Sequence, residues 1–241
     1  MAIAFEAVGG TTVTSNTTAT WSHTVTAASN YLVVFVATTS TNGTLNDIST
    51  MTYNGVAMTQ IDTLSDAGGG NRIYSYVLPN PATGTNNVSA VFSTSKGRIN
   101  GVSGSYTGVY QSATVDSHNV ETDSVNGTPT TTVVNSDCWV IAGEINDSGT
   151  PTAGAGTTLR GSVQNTSYLA DSNGTVSPGS NTLTFTGGTG WLFNSAIISL
   201  STTAPASGPT NLKSLDGNLK ANIKSFVGNA LANIKSIDGN S

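Results

Sequence analysis

Tyr31-Leu32-Val33-Val34-Phe35-Val36-Ala37 decides the fold. The run is unbroken in apolar and aromatic residues and rich in valine, whose branched β-carbon favours extended backbone. A strand with one wet face alternates polar and apolar residues, and this one does not. It therefore reads as a strand buried on both faces. Trp139-Val140-Ile141-Ala142 has the same character later in the chain.

Outward from that run, strand signals dominate. Trp21-Ser22-His23-Thr24-Val25 alternates, as does Arg72–Leu78, which stops at Pro79. Asn54-Gly55 separates Met51-Thr52-Tyr53 from Val56-Ala57-Met58. Asn and Gly tolerate the positive φ of a type I′ turn, so this segment predicts a hairpin. Val88–Phe92, Val102–Val109, Val133-Val134, Trp139–Ile145, Leu183–Phe185 and Trp191–Leu200 complete the set. Gly68-Gly69-Gly70, Asn80-Pro81, Asn126-Gly127 and Gly187-Gly188 punctuate it. No part of this region sustains a 3.6-residue period. The expectation is an all-β body over residues 1–203, a β-sandwich or jelly roll.

The halves of the body echo each other. Tyr31–Ala37, Gly84–Phe92 and Gly101–Gly108 in the first correspond to Trp139–Ile145, Gly179–Phe185 and Trp191–Leu200 in the second. One sandwich is favoured over two domains, and a duplication stays open.

Residues 204–210 form a linker containing Pro205, Gly208 and Pro209. The tail, residues 211–241, repeats with a period of eleven: Asn211-Leu212-Lys213-Ser214 returns from Asn222 and again from Asn233. Leu212, Leu215, Leu219, Ile223, Phe226, Ala230, Ile234 and Ile237 form a hendecad stripe, as a right-handed helical coil would require. Each repeat also carries Gly-Asn, which favours a turn with short strands between turns. Neither form can bury its own apolar face in so short a repeat, so the tail is expected to oligomerise or dock. The expected contact residues are Leu212, Leu215, Leu219, Ile223, Phe226, Leu231, Ile234 and Ile237.

Charge is scarce, at 9% of residues against a usual ~25%. Ser, Thr, Asn and Gly carry the polarity instead. Residues 1–210 hold eleven acids and the four bases Arg72, Lys96, Arg98 and Arg160, whereas the tail is weakly basic. An acidic body argues against nucleic acid as a partner, since phosphate binding needs clustered Lys and Arg. No apolar run reaches the ~20 residues of a membrane span, so no membrane association is expected. The first residues lack the basic and long apolar regions of a signal peptide. The lone cysteine, Cys138, is expected to be a buried, unreactive thiol.

Candidate chemistry is sparse. His23 and His118 fit no metal spacing, and Gly101-Val102-Ser103-Gly104 is no nucleophile elbow. Glu144, Asp147, Asp171, Glu121 and Asp123 are the carboxylates available for a glycosidase pair. Asp116, Glu121 and Asp123 are those available for calcium, at a spacing that matches no defined loop. Asp in turn-like settings is usually a backbone cap, so no catalytic residue, cofactor or metal is expected. Tyr106 and Tyr110, at a strand end, are the aromatics expected to be exposed for glycan contact.

Trp21–Val25, Met51–Thr59, Ser105–Val109 and Ser148–Leu159 resemble a β-sandwich module of bacteriophage structural proteins and bacterial surface proteins. The Asn-Ile-Lys-Ser tail units resemble those that end phage fibre and decoration proteins. The resemblance implies a non-catalytic virion subunit of capsid-decoration or fibre type, on the virion surface. It implies self-association, with a homotrimer favoured, and contact with other virion proteins. A receptor- or glycan-binding fibre or adhesin is the alternative.

Overall fold

The computed structural model describes residues 2–39, 47–65, 70–123, 127–145, 150, 152–164, 166–186 and 193–204 of the body, with 225–226 and 229–230 of the tail. Residues 1–205 form one compact unit. Its described residues are all β, joined by turns, with every pairing antiparallel.

The first half contributes β1 (Ala4–Val25), β2 (Tyr31–Thr39), β3 (Ile48–Tyr53), β4 (Val56–Ala57), β5 (Thr59–Ser65), β6 (Asn71–Pro79) and β7 (Gly84–Thr107). The apolar run is β2, the central strand, hydrogen-bonded to β6 on one edge and β7 on the other. Tyr31, Val33 and Phe35 point into one core, and Leu32, Val34 and Val36 into another. That is the two-faced burial its unbroken sequence demands.

A long ribbon of β1 and β7 makes the second face possible. The two pair from Ala4↔Thr107 to Val25↔Gly84, and their register breaks between Asn16 and Thr18. At this bulge Ser15 takes a φ of 51°. A bulge bends a strand, and beyond it the ribbon covers the far face of β2. Ala19, Trp21, Val25, Val88, Ala90 and Phe92 pack there with Met51 and Tyr53 of β3. Asn54 and Gly55 take φ of 49° and 76°, as the predicted hairpin turn between β3 and β4 requires.

The second half contributes β8 (Ser117–Asp123), β9 (Thr130–Val133), β10 (Trp139–Ile145), β11 (Thr152–Ala153), β12 (Thr158–Val163), β13 (Ser167–Asp171), β14 (Gly179–Thr182), β15 (Phe185–Thr186) and β16 (Phe193–Leu200). Its topology repeats that of the first. The sheet order β12-β13-β10-β16-β8 matches β5-β6-β2-β7-β1 strand for strand. The matching edge strands, β5 and β12, even carry the same bulge, between Gln60 and Asp62 and between Leu159 and Gly161. Gly84 opposite Val25 and Gly179 opposite Val133 begin corresponding strands, with φ of 94° and 118°. The echo read between Gly84–Phe92 and Gly179–Phe185 falls on these register positions.

The halves meet face to face across β2 and β10, where Trp139, Ile141, Leu169 and Ile198 join Tyr31, Val33 and Phe35. Contacts exchange in pairs, as a two-fold relation demands. Asp62 of β5 bonds His118 of β8 at 2.7 Å. Gly161, at the position of Asp62, receives Val8, at the position of His118. Likewise Asn194 donates to the Asn71 carbonyl at 2.9 Å, and its counterpart Asn100 donates to Ser167 Oγ at 3.0 Å.

Several strands exceed or escape the sequence reading. β1 begins at Ala4 instead of Trp21, and β5, β8, β12 and β13 were not expected. Polar residues such as those of Thr11–Thr18 carry no apolar alternation, so only their pairing partners reveal them. In the tail, β17 (Ser225–Phe226) pairs with β18 (Asn229–Ala230). Leu212, Leu215, Leu219, Ile223, Leu231, Ile234 and Ile237 lie outside the described residues.

Candidate functional site

Ionisable groups are so few that each buried one needs a reason. The most concentrated group sits at the bend of β7. Pairing of Ile48 with Phe92, and a 2.9 Å bond from the Ser93 amide to the Asp47 carbonyl, fix Asp47 beside this bend. Asp47 Oδ2 then contacts Lys96 Nζ, with both side chains shut off from solvent. Tyr74 donates to Asp47 Oδ1 at 2.8 Å. Arg72 Nη1 lies 3.7 Å from Oδ2. Lys96 Nζ also donates to Thr94 Oγ1 at 3.1 Å, and that hydroxyl reaches Asp47 Oδ2 at 3.4 Å. The Phe92 ring lies 5.5 Å from the ammonium. Burial pushes the Tyr74 hydroxyl well above its usual range, with the Asp47 bond adding to the shift, so it stays a donor.

A second buried network crosses between the halves. Asp171 is fully buried and takes Arg160 Nε at 2.8 Å and the Tyr106 hydroxyl at 3.2 Å. Arg160 stacks over Phe5 at 4.6 Å. The expected exposure of Tyr106 is therefore corrected. β7 is paired on both edges there, and the ring points into the core between the halves. Tyr110, past the strand end, is 44% exposed.

Ser103 and His23 make a serine–histidine contact of 2.9 Å. It is built for packing. Both residues are buried, and Ser103 Oγ also accepts from Trp21 Nε1 at 3.0 Å. Burial lowers His23 to about 4, so the ring is neutral at ordinary pH.

Of the other carboxylates that the sequence singles out, three are described. Glu144 is buried. Asp116 accepts the amides of Val134 and Asn135, and Glu121 accepts that of Thr130. Asp147 and the Asp123 side chain lie outside the described residues. Among the described residues no group of three or more His, Cys, Asp or Glu is placed to hold a metal ion.

The outer face of the first half is different in kind. Thr20, Ser22 and Thr24 of β1 face solvent while Trp21, His23 and Val25 face the core. Together with β3 and β7 this face forms an open hollow of about 550 Å³, lined by Thr20, Thr52, Asn54, Thr85, Asn87 and Ser89 among others. Its polar groups are hydroxyls and amides without charge.

Comparison of the chain with protein-family models, curated proteins and solved structures finds no match. The site must speak through its own geometry.

Sequence reasoning singled out neither Asp47 nor the grouping around it. The available signal was scarcity. Arg72 heads the buried strand Arg72–Leu78, and Lys96 follows Phe92 at a bend, in a body with only four basic residues.

Proposed function

We infer that the protein is a non-catalytic structural subunit of a bacteriophage particle, of capsid-decoration or fibre type. The observation that carries this reading is the use of charge. Among the described residues of the body, Asp47, Lys96, Asp171 and Arg160 sit in internal ion pairs and His23 in a packed core, and the outer face of the first half is neutral hydroxyl and amide. Such a body is a rigid, weakly charged spacer. The repeats of residues 211–241 supply a candidate attachment segment.

Labelled antibody against the body, applied to intact particles, tests the role. Staining over the whole head supports decoration, and staining along or at the end of an appendage supports a fibre. Unlabelled particles refute both. Light scattering of the full chain against a chain ending at residue 210 tests the tail. If both are monomeric and attach equally to particles, the tail has no such role.

One observation favours a second reading, glycan binding. The hollow beside Thr20 and Asn87 offers unpaired-charge-free donors and acceptors of the kind that neutral sugar hydroxyls match. Saturable binding on a glycan array, abolished by Asn87→Ala together with Thr52→Ala, would establish it. Its absence leaves the structural role alone.

A further inference from the structure

We propose that Lys96 and Asp47 condense into an intramolecular isopeptide bond, stapling the entry to β3 onto the bend of β7. The proposal does not rest on the role inferred above.

Position comes first. Strand pairing and the Ser93–Asp47 backbone bond hold Asp47 against residues 92–94. The Lys96 side chain then lies in direct contact with the carboxylate. Two groups held this way react at effective concentrations far above any in solution. The Lys96 side chain is 0% exposed and that of Asp47 1%, whereas lysine is almost never fully buried. Passing one proton from Nζ to the carboxylate converts the ion pair into amine and acid. The amine form carries the lone pair that attack requires.

The neighbours are placed for each part of the reaction. Nζ attacks Asp47 Cγ. Negative charge gathers on Oδ1, where the Tyr74 hydroxyl donates at 2.8 Å. The Arg72 guanidinium, 3.7 Å from Oδ2, adds positive charge beside the intermediate. Thr94 Oγ1 touches both Nζ and Oδ2, at 3.1 and 3.4 Å. It therefore accepts the proton that Nζ must lose and passes one to Oδ2. The Cγ–Oδ2 bond breaks and Oδ2 leaves as water. Oδ1 becomes the amide oxygen, still bonded to Tyr74. One C–N bond forms, one C–O bond breaks, one water departs, and no oxidant or reductant is needed. Thr94 is exposed, so the water leaves toward solvent.

Condensation also removes two charges from a place where each is costly. What remains is a neutral amide beside Phe92 and Tyr74. The closed loop, residues 47–96, ties β3, β5 and β6 to the bend of β7.

The test is peptide mapping of the full-length protein by mass spectrometry after denaturation. Trypsin cuts after Arg72 and Arg98, and it cuts after Lys96 only if the amine is free. The expected result is peptide 1–72 joined to 73–98, lighter by one water than their sum, with Lys96 uncut. The joined pair decides, because the Asp-Gly steps at 216 and 238 can also lose water from the intact mass. Separate peptides 1–72 and 73–96 overturn the proposal. Lys96→Arg keeps the charge but cannot form the bond, and a joined chain in that variant would also overturn it. Thr94→Val, at an exposed position, is expected to fold and to join about a hundredfold more slowly. An unchanged rate removes Thr94 as the relay.

Discussion

Phe35 of β2 and Gly143 of β10 hold the same register position in the two halves, and they lie against each other. A β-carbon at Gly143 would overlap the Phe35 ring and its own β-carbon. One half presents a ring where the other presents nothing, and this asymmetry lets two sheets of one topology close face to face. Gly143→Ala must push Phe35 aside in the core shared by the halves. Overpacking of this kind costs about 2 kcal/mol. Urea unfolding should show that loss, while Gly156→Ala, at a turn with open space around it, should cost less despite its φ of 71°.

His23 makes stability depend on pH in a defined window. Its pKa falls from 6.5 to about 4 because the buried ring resists charging. The unfolded chain therefore binds the proton more readily than the folded one. The contribution is fully present above pH 6.5, fades as pH falls, and is gone below about 4. Between pH 7.5 and 5 the loss should be about 2 kcal/mol from this residue. His23→Gln should have a flatter profile over that interval. Equal slopes for the two proteins would mean that another group carries the acid sensitivity.

The strands that announce themselves are those with cores on both sides. β2 and β10 were legible because Tyr31–Ala37 and Trp139–Ala142 run unbroken in apolar residues, and Trp21–Val25 because only one of its faces is wet. β5, β8 and β12 were not, since each sits at a sheet edge with few apolar contacts and a hydroxyl-rich sequence. The halves' echo was visible at Gly84 and Gly179, where a positive φ selects glycine in both copies. Tyr106 was misread because strand-end position suggests exposure. What buries it is a partner strand 75 residues away, Tyr31 of β2. The Asp47 grouping was hidden for the same reason: its members come from three separate segments, the entry to β3, β6 and the bend of β7, and local pattern carries no trace of their meeting.

Cys138 should be silent in the folded protein. It is buried, and burial pushes its thiol up to about 11, leaving very little thiolate near neutrality. An aromatic disulfide reagent at pH 8 should leave the native protein unmodified and label it stoichiometrically in denaturant. Rapid native labelling would show that the segment around Cys138 opens readily, since Val176 bridges to it through backbone bonds.

Arg160 reports on whether the halves unfold together. It reaches Asp171 within its own half, stacks on Phe5 of the other, and shares Asp171 with Tyr106. Arg160→Met keeps the stacking bulk but leaves a buried carboxylate without its cation. That should cost about 3 kcal/mol. Tyr106→Phe removes only one bond to the same carboxylate and should cost about 1.5 kcal/mol. Because Asp171 binds both partners, the double variant should lose less than the two single losses added. Calorimetry should show one transition in all three proteins if the core shared by β2 and β10 couples the halves. Two separated transitions in Arg160→Met would mean that each half is held chiefly by its own core, Trp21 and Tyr53 in the first and Tyr168 and Phe185 in the second.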